Sequence, residues 1–357
     1  MDAVLIHGII YSLFPLHLMG PQPLDYSKLT AASVLSALFV GALLYATLIL
    51  PHRLHRLLLG WIPDYGLNWV EAEAAIEALR PFGYLCFILF LLLIILGFLL
   101  RWFRLSALGS LGLYLPTFSY FASTMFFLAG LCVLRVVWLP LMELIPAPWI
   151  NRPQLFGELL DVADAVYLPY IPLRVLLSLL SSSPIPRQVD RFIFNLLISL
   201  GSATLFLGSQ TWLYGRLIGR DLIDFWMYRY SRHPQYLGLL IWSYGLLIYD
   251  RFVFTPVRGG YYPAPSLPWL IMTLTILASA LMEEAEMRKK LGGRYVEYQA
   301  STPFMLPLPR QVSNWIGFPS RILIRKEWPE TGRETLLILT LYTALIIGVS
   351  ALIHLPH

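Results

Sequence analysis

The sequence predicts an all-α, polytopic membrane helical bundle of about seven to eight transmembrane helices, with a helical hairpin towards its C-terminal end. Three observations predict it. Of 357 residues, 57% are hydrophobic and 13% charged, against roughly 25% charged in soluble domains. The apolar residues fall in uninterrupted blocks, not at amphipathic intervals. Each of the five longest blocks reaches the ~20 residues a helix needs to cross ~30 Å of hydrocarbon. With no water at that depth, a helix satisfies its own backbone within one segment.

The elements follow in chain order. Ala3–Met19 is read as an interfacial helix: Asp2 stands where a signal peptide carries a basic residue, and His7, Pro15 and His17 interrupt the segment. Thr30–Leu50 is the first span, followed by the basic stretch His52–Arg56. Glu71, Glu73 and Glu77 sit among alanines on a short helix before Arg80 and Pro81, and Pro81–Leu100 is the second span. Gly112–Leu134 is the third and Phe192–Leu213 the fourth. Between them Leu155–Leu180 opens on Glu158, Asp161 and Asp164 and is then broken by Pro169, Pro172 and Arg174, the pattern of a kinked interfacial or re-entrant element. Tyr236–Tyr249 and Pro268–Met282, about 21 and 22 Å long as helices, flank the Gly/Pro-rich turn Thr255–Leu267 and form the hairpin. Thr335–Ile353 is the last span. Three regions result: 1–215, a transmembrane region without a recognisable site; 216–310, around the hairpin; and 311–357, an interfacial segment with the last span.

Charge sets the orientation. Arg216, Arg220, Arg229 and Arg232 precede the hairpin, and Arg288, Lys289, Lys290, Arg294, Arg310, Arg321, Arg325 and Lys326 follow it. Its far end carries only Arg251 and Arg258, so the positive-inside rule puts both basic stretches on the cytoplasmic face. If Arg53 and Arg56 share that face, parity requires Leu155–Leu180 to cross as well; otherwise they lie outside. The crossing is the expectation. The net charge of +5 includes only four lysines and no basic run, which excludes a nucleic-acid tail and fits membrane-flanking charge. Cys86 and Cys132 lie inside apolar blocks as small hydrophobes. Trp61, Trp102 and Trp138 read as interface anchors. His52 and His55 have no third ligand nearby, so no metal site is expected.

The chemistry concentrates in two segments. The first is Tyr228-Arg-Tyr-Ser-Arg-His-Pro-Gln-Tyr-Leu-Gly238. Pro234 suits the first position of a helix, Arg232 and His233 precede its positive end, and Gly238 removes a side chain one turn later. The second is Glu283-Glu284, followed by Gly292-Gly-Arg-Tyr295-Val-Glu-Tyr298 and then Pro303. The hairpin brings Gly238 and Glu283 together. Carboxylates and aromatic faces suit a cationic ligand.

These residues resemble the membrane methyltransferases, a family that includes isoprenylcysteine carboxyl methyltransferase and phospholipid N-methyltransferase. The resemblance covers Asp224–Pro307. It implies an S-adenosylmethionine site built from both segments: His233, Pro234, Tyr236 and Gly238 line the cofactor, Glu283 and Glu284 hold it, and Tyr295 and Tyr298 cover it. Arg229 or Arg232 is the expected catalytic cation, orienting a lipid-like or prenylated acceptor that ends in a carboxylate, amine or hydroxyl. The acceptor is expected to arrive from the bilayer past Ser243 and Gly245, whose small side chains leave a gap. Many members carry Gly-Pro just before the Tyr-Arg, where this chain has Trp226-Met227; the departure bears on the local turn. The expected setting is the endoplasmic reticulum of a eukaryote or the cytoplasmic membrane of a prokaryote. Two rival readings exist. One is a sterol-reductase-like enzyme with a similar Arg-His-Pro element and NADPH, against which stands the pair of carboxylates. The other is a transporter or non-catalytic scaffold, which the scarcity of intramembrane charge disfavours.

Overall fold

The apolar blocks become helices. A computed structural model describes residues 24–50, 53, 69–115, 140, 143–144, 146, 159, 161–180, 186–253 and 266–353. The helices are α1 (Tyr26–Leu44, continued by a π-helical turn Tyr45–Ile49), α2 (Trp69–Leu99), α3 (Phe103–Tyr114), α4 (Tyr170–Leu180) and α5 (Pro186–Leu217). They continue with α6 (Pro234–Ile248, extended by a π-helical turn Tyr249–Val253), α7 (Ser266–Leu291), α8 (Gly293–Ser301), α9 (Arg310–Ile324) and α10 (Gly332–Ile353). The described residues contain no strand. Five helical segments are long and apolar enough to cross a membrane: Tyr26–Ile49, Arg80–Leu99, Gln188–Leu217, Ser266–Leu291 and Gly332–Ile353. Their outward faces carry exposed Leu38, Leu85, Leu92 and Leu352, a surface suited to hydrocarbon. The protein is an all-α integral membrane bundle.

The inner helices are α3, α5, α6 and α7. Ala107, Leu111 and Tyr114 of α3, Ile198 of α5, Trp242 and Leu246 of α6 and Met272, Ile276 and Ala280 of α7 share one buried cluster. Sequence regions 1–215 and 216–310 therefore share a core. Helices α5 and α6 run antiparallel at very close range. A Cβ on Gly201 would stand 2.5 Å from Trp242 N, and one on Gly238 2.5 Å from Leu205 N. Gly208 meets Gln235 and Gly245 meets Leu197 and Ile198 in the same register. Small residues let helix backbones approach in this way inside a membrane. Gly238 thus faces α5, not a ligand, and Gly245 fills a helix contact. Ser243, fully buried, accepts a hydrogen bond from Trp269 Nε1 (3.1 Å). The gap expected past Ser243 and Gly245 is closed.

Side-chain contacts fix the two ends of the bundle. At one end the backbone N–H of Asp25, before α1, donates to the hydroxyl of Tyr214, near the end of α5 (3.2 Å), and Gln210 Nε2 donates to Ser33 (2.6 Å). At the other end Ala163 N–H donates to Ser266 at the start of α7 (3.2 Å), and Ala165 N–H to Ser350 near the end of α10 (2.9 Å). There Tyr170 and Arg174 of α4 both hold Asp190, near the start of α5. The eleven residues of α4 reach only about 17 Å, and the chain rejoins α5 at the same end. The described part of this element, from Asp161 to Leu180, stays at that end and does not cross. Arg53, which donates to Tyr45 (3.1 Å) beyond the far end of α1, therefore lies opposite Arg216 and Arg220.

Two further differences have simple causes. The glutamate-rich stretch before Pro81 is not a separate helix, because α2 runs through the proline; a lost hydrogen bond is tolerated inside a membrane helix where neighbours re-satisfy the backbone. Only Gly112–Leu115 of the third expected span is described, and Gly112–Tyr114 closes the short buried helix α3. Residues 1–23, His52, His55, Arg56, Trp61, Cys132, Trp138 and most of the hairpin turn lie outside the described residues. Helix α9 places Trp315, Phe318 and Ile322 on one exposed face, as an in-plane interfacial helix does.

Two outcomes follow. Gly238→Ala loses about 1–3 kcal/mol of stability by overpacking, read as a lower thermal midpoint. Gly348→Ala on α10, where a Cβ meets nothing within 4 Å, loses none. In a background lacking Cys86 and Cys132, single cysteines replacing Arg216 and Lys326 label from the same side of the membrane, and one replacing Arg53 labels from the opposite side. Labelling of all three from one side would overturn the end assignment.

Candidate functional site

The chain leaves α5 through Gly219, whose φ of +77° suits a glycine at a helix C-terminus. It then forms a short 3-10 turn, Trp226–Arg229. Trp226 has φ +48°, the left-handed region that costs an L-residue roughly 1–2 kcal/mol, at the position where the resembled family carries glycine. The indole offsets this by stacking on Tyr214 (5.2 Å between centroids, 17° between planes) and packing against Leu29 and Ala32 of α1. His233 then occupies the N-cap of α6 and Pro234 its first turn.

Arg232 fastens this loop to two other elements. Its Nε stands 2.6 Å from Glu284 Oε1, and its Nη2 donates to Oε2 (3.3 Å). Its Nη1 donates to the carbonyls of Gln299 (2.8 Å) and Thr302 (3.1 Å) at the C-terminal end of α8. The guanidinium also lies 4.8 Å from the ring of Trp328 and 5.7 Å from that of Phe304. The two side chains of this ion pair are 1% and 0% exposed. Glu284 additionally accepts from Gln299 Nε2 (2.7 Å) and lies 3.3 Å from His233 Nε2. Its oxygens are fully engaged inside the protein.

Glu283 points elsewhere, because adjacent helical residues do not share a face. It is 26% exposed and lines a cavity of about 440 Å³ at this end of the bundle. Its Oε1 accepts from the hydroxyl of Tyr236 (2.8 Å), and Arg104 and His233 each approach it to 3.8 Å. Tyr228, Tyr295 and Tyr298 complete an aromatic wall, with the Tyr298 hydroxyl donating to the Tyr228 carbonyl (2.6 Å). Burial pushes the phenols of Tyr228, Tyr295 and Tyr298 well above the ordinary tyrosine range, so they stay neutral at any physiological pH.

The structure gathers His233, Tyr236, Glu283, Tyr295 and Tyr298 around one cavity. It separates the five other expected residues. Glu284, Gly238 and Pro234 are used up in internal packing, Pro234 against Gly208 of α5. Arg232 borders the cavity but is committed to Glu284 and to α8. Arg229 is exposed and is not among the lining residues. Neither arginine is placed to orient an acceptor. The cations that do face the cavity are Arg101, Arg104 and Arg216, beside Trp212, and of these sequence reasoning noted only Arg216, as flanking charge. Arg101 and Arg104 directly follow an apolar span, and span parity from Arg216 would have placed them at the same membrane end.

The signature of DUF1295, a protein family of unknown function, matches residues 218–302. That segment contains both halves of the motif and ends at the loop Arg232 fastens. No curated protein and no solved structure matches the chain.

The two adjacent glutamates separate by experiment. Glu284→Gln leaves Arg232 charged and unpaired in the interior, at a cost of about 3–5 kcal/mol, and lowers the thermal midpoint sharply. Glu283→Gln, at a partly exposed position, changes it little. Equal midpoints for both variants would remove the distinction drawn between them.

Proposed function

We propose that the protein is an S-adenosylmethionine-dependent membrane methyltransferase acting on a lipid-like acceptor. One observation carries the reading: the Glu283 carboxylate opens onto a cavity walled by aromatic faces at the membrane end. A cavity of about 440 Å³ falls within the range that encloses a ligand of a few hundred daltons. A carboxylate and aromatic faces are the groups a compact organic cation needs. Glu283 with Tyr236, Tyr295 and Tyr298 would hold the cofactor, which supplies an electrophilic methyl group on a sulfonium.

The chain's own work is positioning and exclusion of water. Tyr236 fixes the Glu283 carboxylate through its hydroxyl, and Arg232 with Glu284 holds His233 at the cavity edge. A carboxylate acceptor is already ionised at neutral pH and needs no base. For an amine or hydroxyl acceptor, the His233 ring and the Glu283 carboxylate, beside the tyrosine wall, are two of the groups at the cavity able to take a proton. The basic residues at this end, from Arg101 and Arg216 to Lys326, point to the cytoplasmic face by the positive-inside rule. A lipid-like acceptor loses about 0.8 kcal/mol per CH₂ exposed to water, which favours arrival from within the bilayer.

A second reading is favoured by Arg101, Arg104 and Arg216 in the same cavity: a reductase binding NADPH through its phosphates. The pair of carboxylates weighs less against it than in the sequence, since Arg232 neutralises Glu284. Binding decides. S-adenosylhomocysteine is expected to raise the thermal midpoint of the purified protein, NADPH to leave it unchanged, and Glu283→Gln to abolish the shift. A response to NADPH alone would establish the reductase reading instead.

A further inference from the structure

The cavity has a second wall that methyl transfer, as described above, does not use. It comes from the turn between α2 and α3, the first turn of α3 and the last turns of α5, all outside residues 218–302. Arg104 lies 3.9 Å over the Trp212 ring and Arg216 lies 5.7 Å from the same ring. One indole thus holds two like charges close together. A stacked guanidinium engages its face and keeps its edge donors for an oxyanion.

The charge on this wall is only loosely balanced. Arg101 stands 3.5 Å from Glu286, and both are well exposed. Arg104 reaches Glu283 only at 3.8 Å, beyond hydrogen-bond range for a charged pair. Asp221, the remaining acidic residue of the lining, lies 3.6 Å from Lys290. Among the described residues no carboxylate pairs with Arg216, whose contact is with Trp212.

We infer that Arg104 and Arg216 on Trp212 form a receptor for an oxyanion, a carboxylate or a phosphate, on the head of the acceptor, and that its occupation is linked to Glu283. A cation resting on Glu283 withdraws that carboxylate from Arg104 and leaves the guanidinium for an anion. An anion on Arg104 likewise frees Glu283 for a cation. Each ligand strengthens the other's binding by the same factor, as linkage requires. The identity of the cation as the cofactor, and of the anion's bearer as the acceptor, rests on the methyl-transfer reading; the anion wall itself does not.

The test uses full-length protein in nanodiscs of zwitterionic lipid. Hexyl phosphate, hexanoate and the uncharged 1-hexanol are titrated without cofactor and followed by calorimetry. At least one oxyanion is expected to bind and the alcohol not to; the stronger of hexyl phosphate and hexanoate names the head group. Arg216→Gln and Arg104→Gln each weaken that binding about tenfold, and Arg216→Lys restores part of it. Glu283→Gln strengthens it severalfold by releasing Arg104. S-adenosylhomocysteine affinity is unchanged by Arg216→Gln. Equal binding of all three probes, or indifference to both arginine variants, overturns the inference. So does an Arg216→Gln loss of S-adenosylhomocysteine or NADPH affinity as large as the loss for the anion, since the wall would then serve a cofactor. Arginine-dependent oxyanion binding without any S-adenosylhomocysteine binding would sink the methyl-transfer reading and leave the wall standing.

Discussion

The buried ion pair between Arg232 and Glu284 is the constraint on which the site depends. It joins the loop before α6, the cavity end of α7 and the C-terminal end of α8. Such a pair is not evidence of high stability, since apolar residues of similar volume often do as well. Its value lies in geometry. Two carbonyls at the end of α8 and two aromatic rings hold the guanidinium, and the Gln299 amide holds its carboxylate partner. With Arg232 fixed, His233 must cap α6 with one ring nitrogen near Glu284 and the other turned towards Glu283.

The second constraint is the glycine seam between α5 and α6. Gly201 and Gly208 on one helix and Gly238 and Gly245 on the other meet their partners in a single antiparallel register. Close backbone approach lets α6 sit in the centre of the bundle, where Trp242, Leu246, Leu247 and Ile248 are fully buried. The seam therefore sets the height at which His233 and Tyr236 enter the cavity. It also brings Trp212 and Arg216, about one and two helical turns beyond Gly208 on α5, to the same level as the motif.

Much of the fold was legible in the sequence because hydrocarbon imposes it. Blocks such as Thr30–Leu50 and Thr335–Ile353 have no other stable form in a membrane, and α1 and α10 match them within a few residues. The gathering of His233, Tyr236, Glu283, Tyr295 and Tyr298 was legible too, through the motif and the hairpin. The division of labour among them was not. Which of two adjacent glutamates faces a cavity depends on how α7 is rotated against α6 and α8, and nothing local encodes that rotation. Gly238 reads equally as room for a ligand or room for a helix, and only the neighbour at Leu205 decides. Arg101 and Arg104 lie more than a hundred residues from the motif, so their membership of the site is a property of the packing.

This division bears on what the segment 218–302 can mean by itself. It carries the fastening, Arg232 with Glu284, and the open carboxylate Glu283, together with the tyrosines. The cationic wall comes from the turn between α2 and α3, the first turn of α3 and α5. A fold segment does not dictate a reaction, and here the reason is visible. The matched segment presents a negative and aromatic surface, whereas the surface facing it across the cavity is positive and is supplied by the rest of the chain. A ligand, or a pair of ligands, that fills the cavity must satisfy both, with positive charge towards Glu283 and negative charge towards Arg104 and Arg216. Chains sharing the segment but differing in the helices around it would keep the first requirement and lose the second. The N-terminal helices are thus part of the site, and the selectivity of the protein is written across both regions.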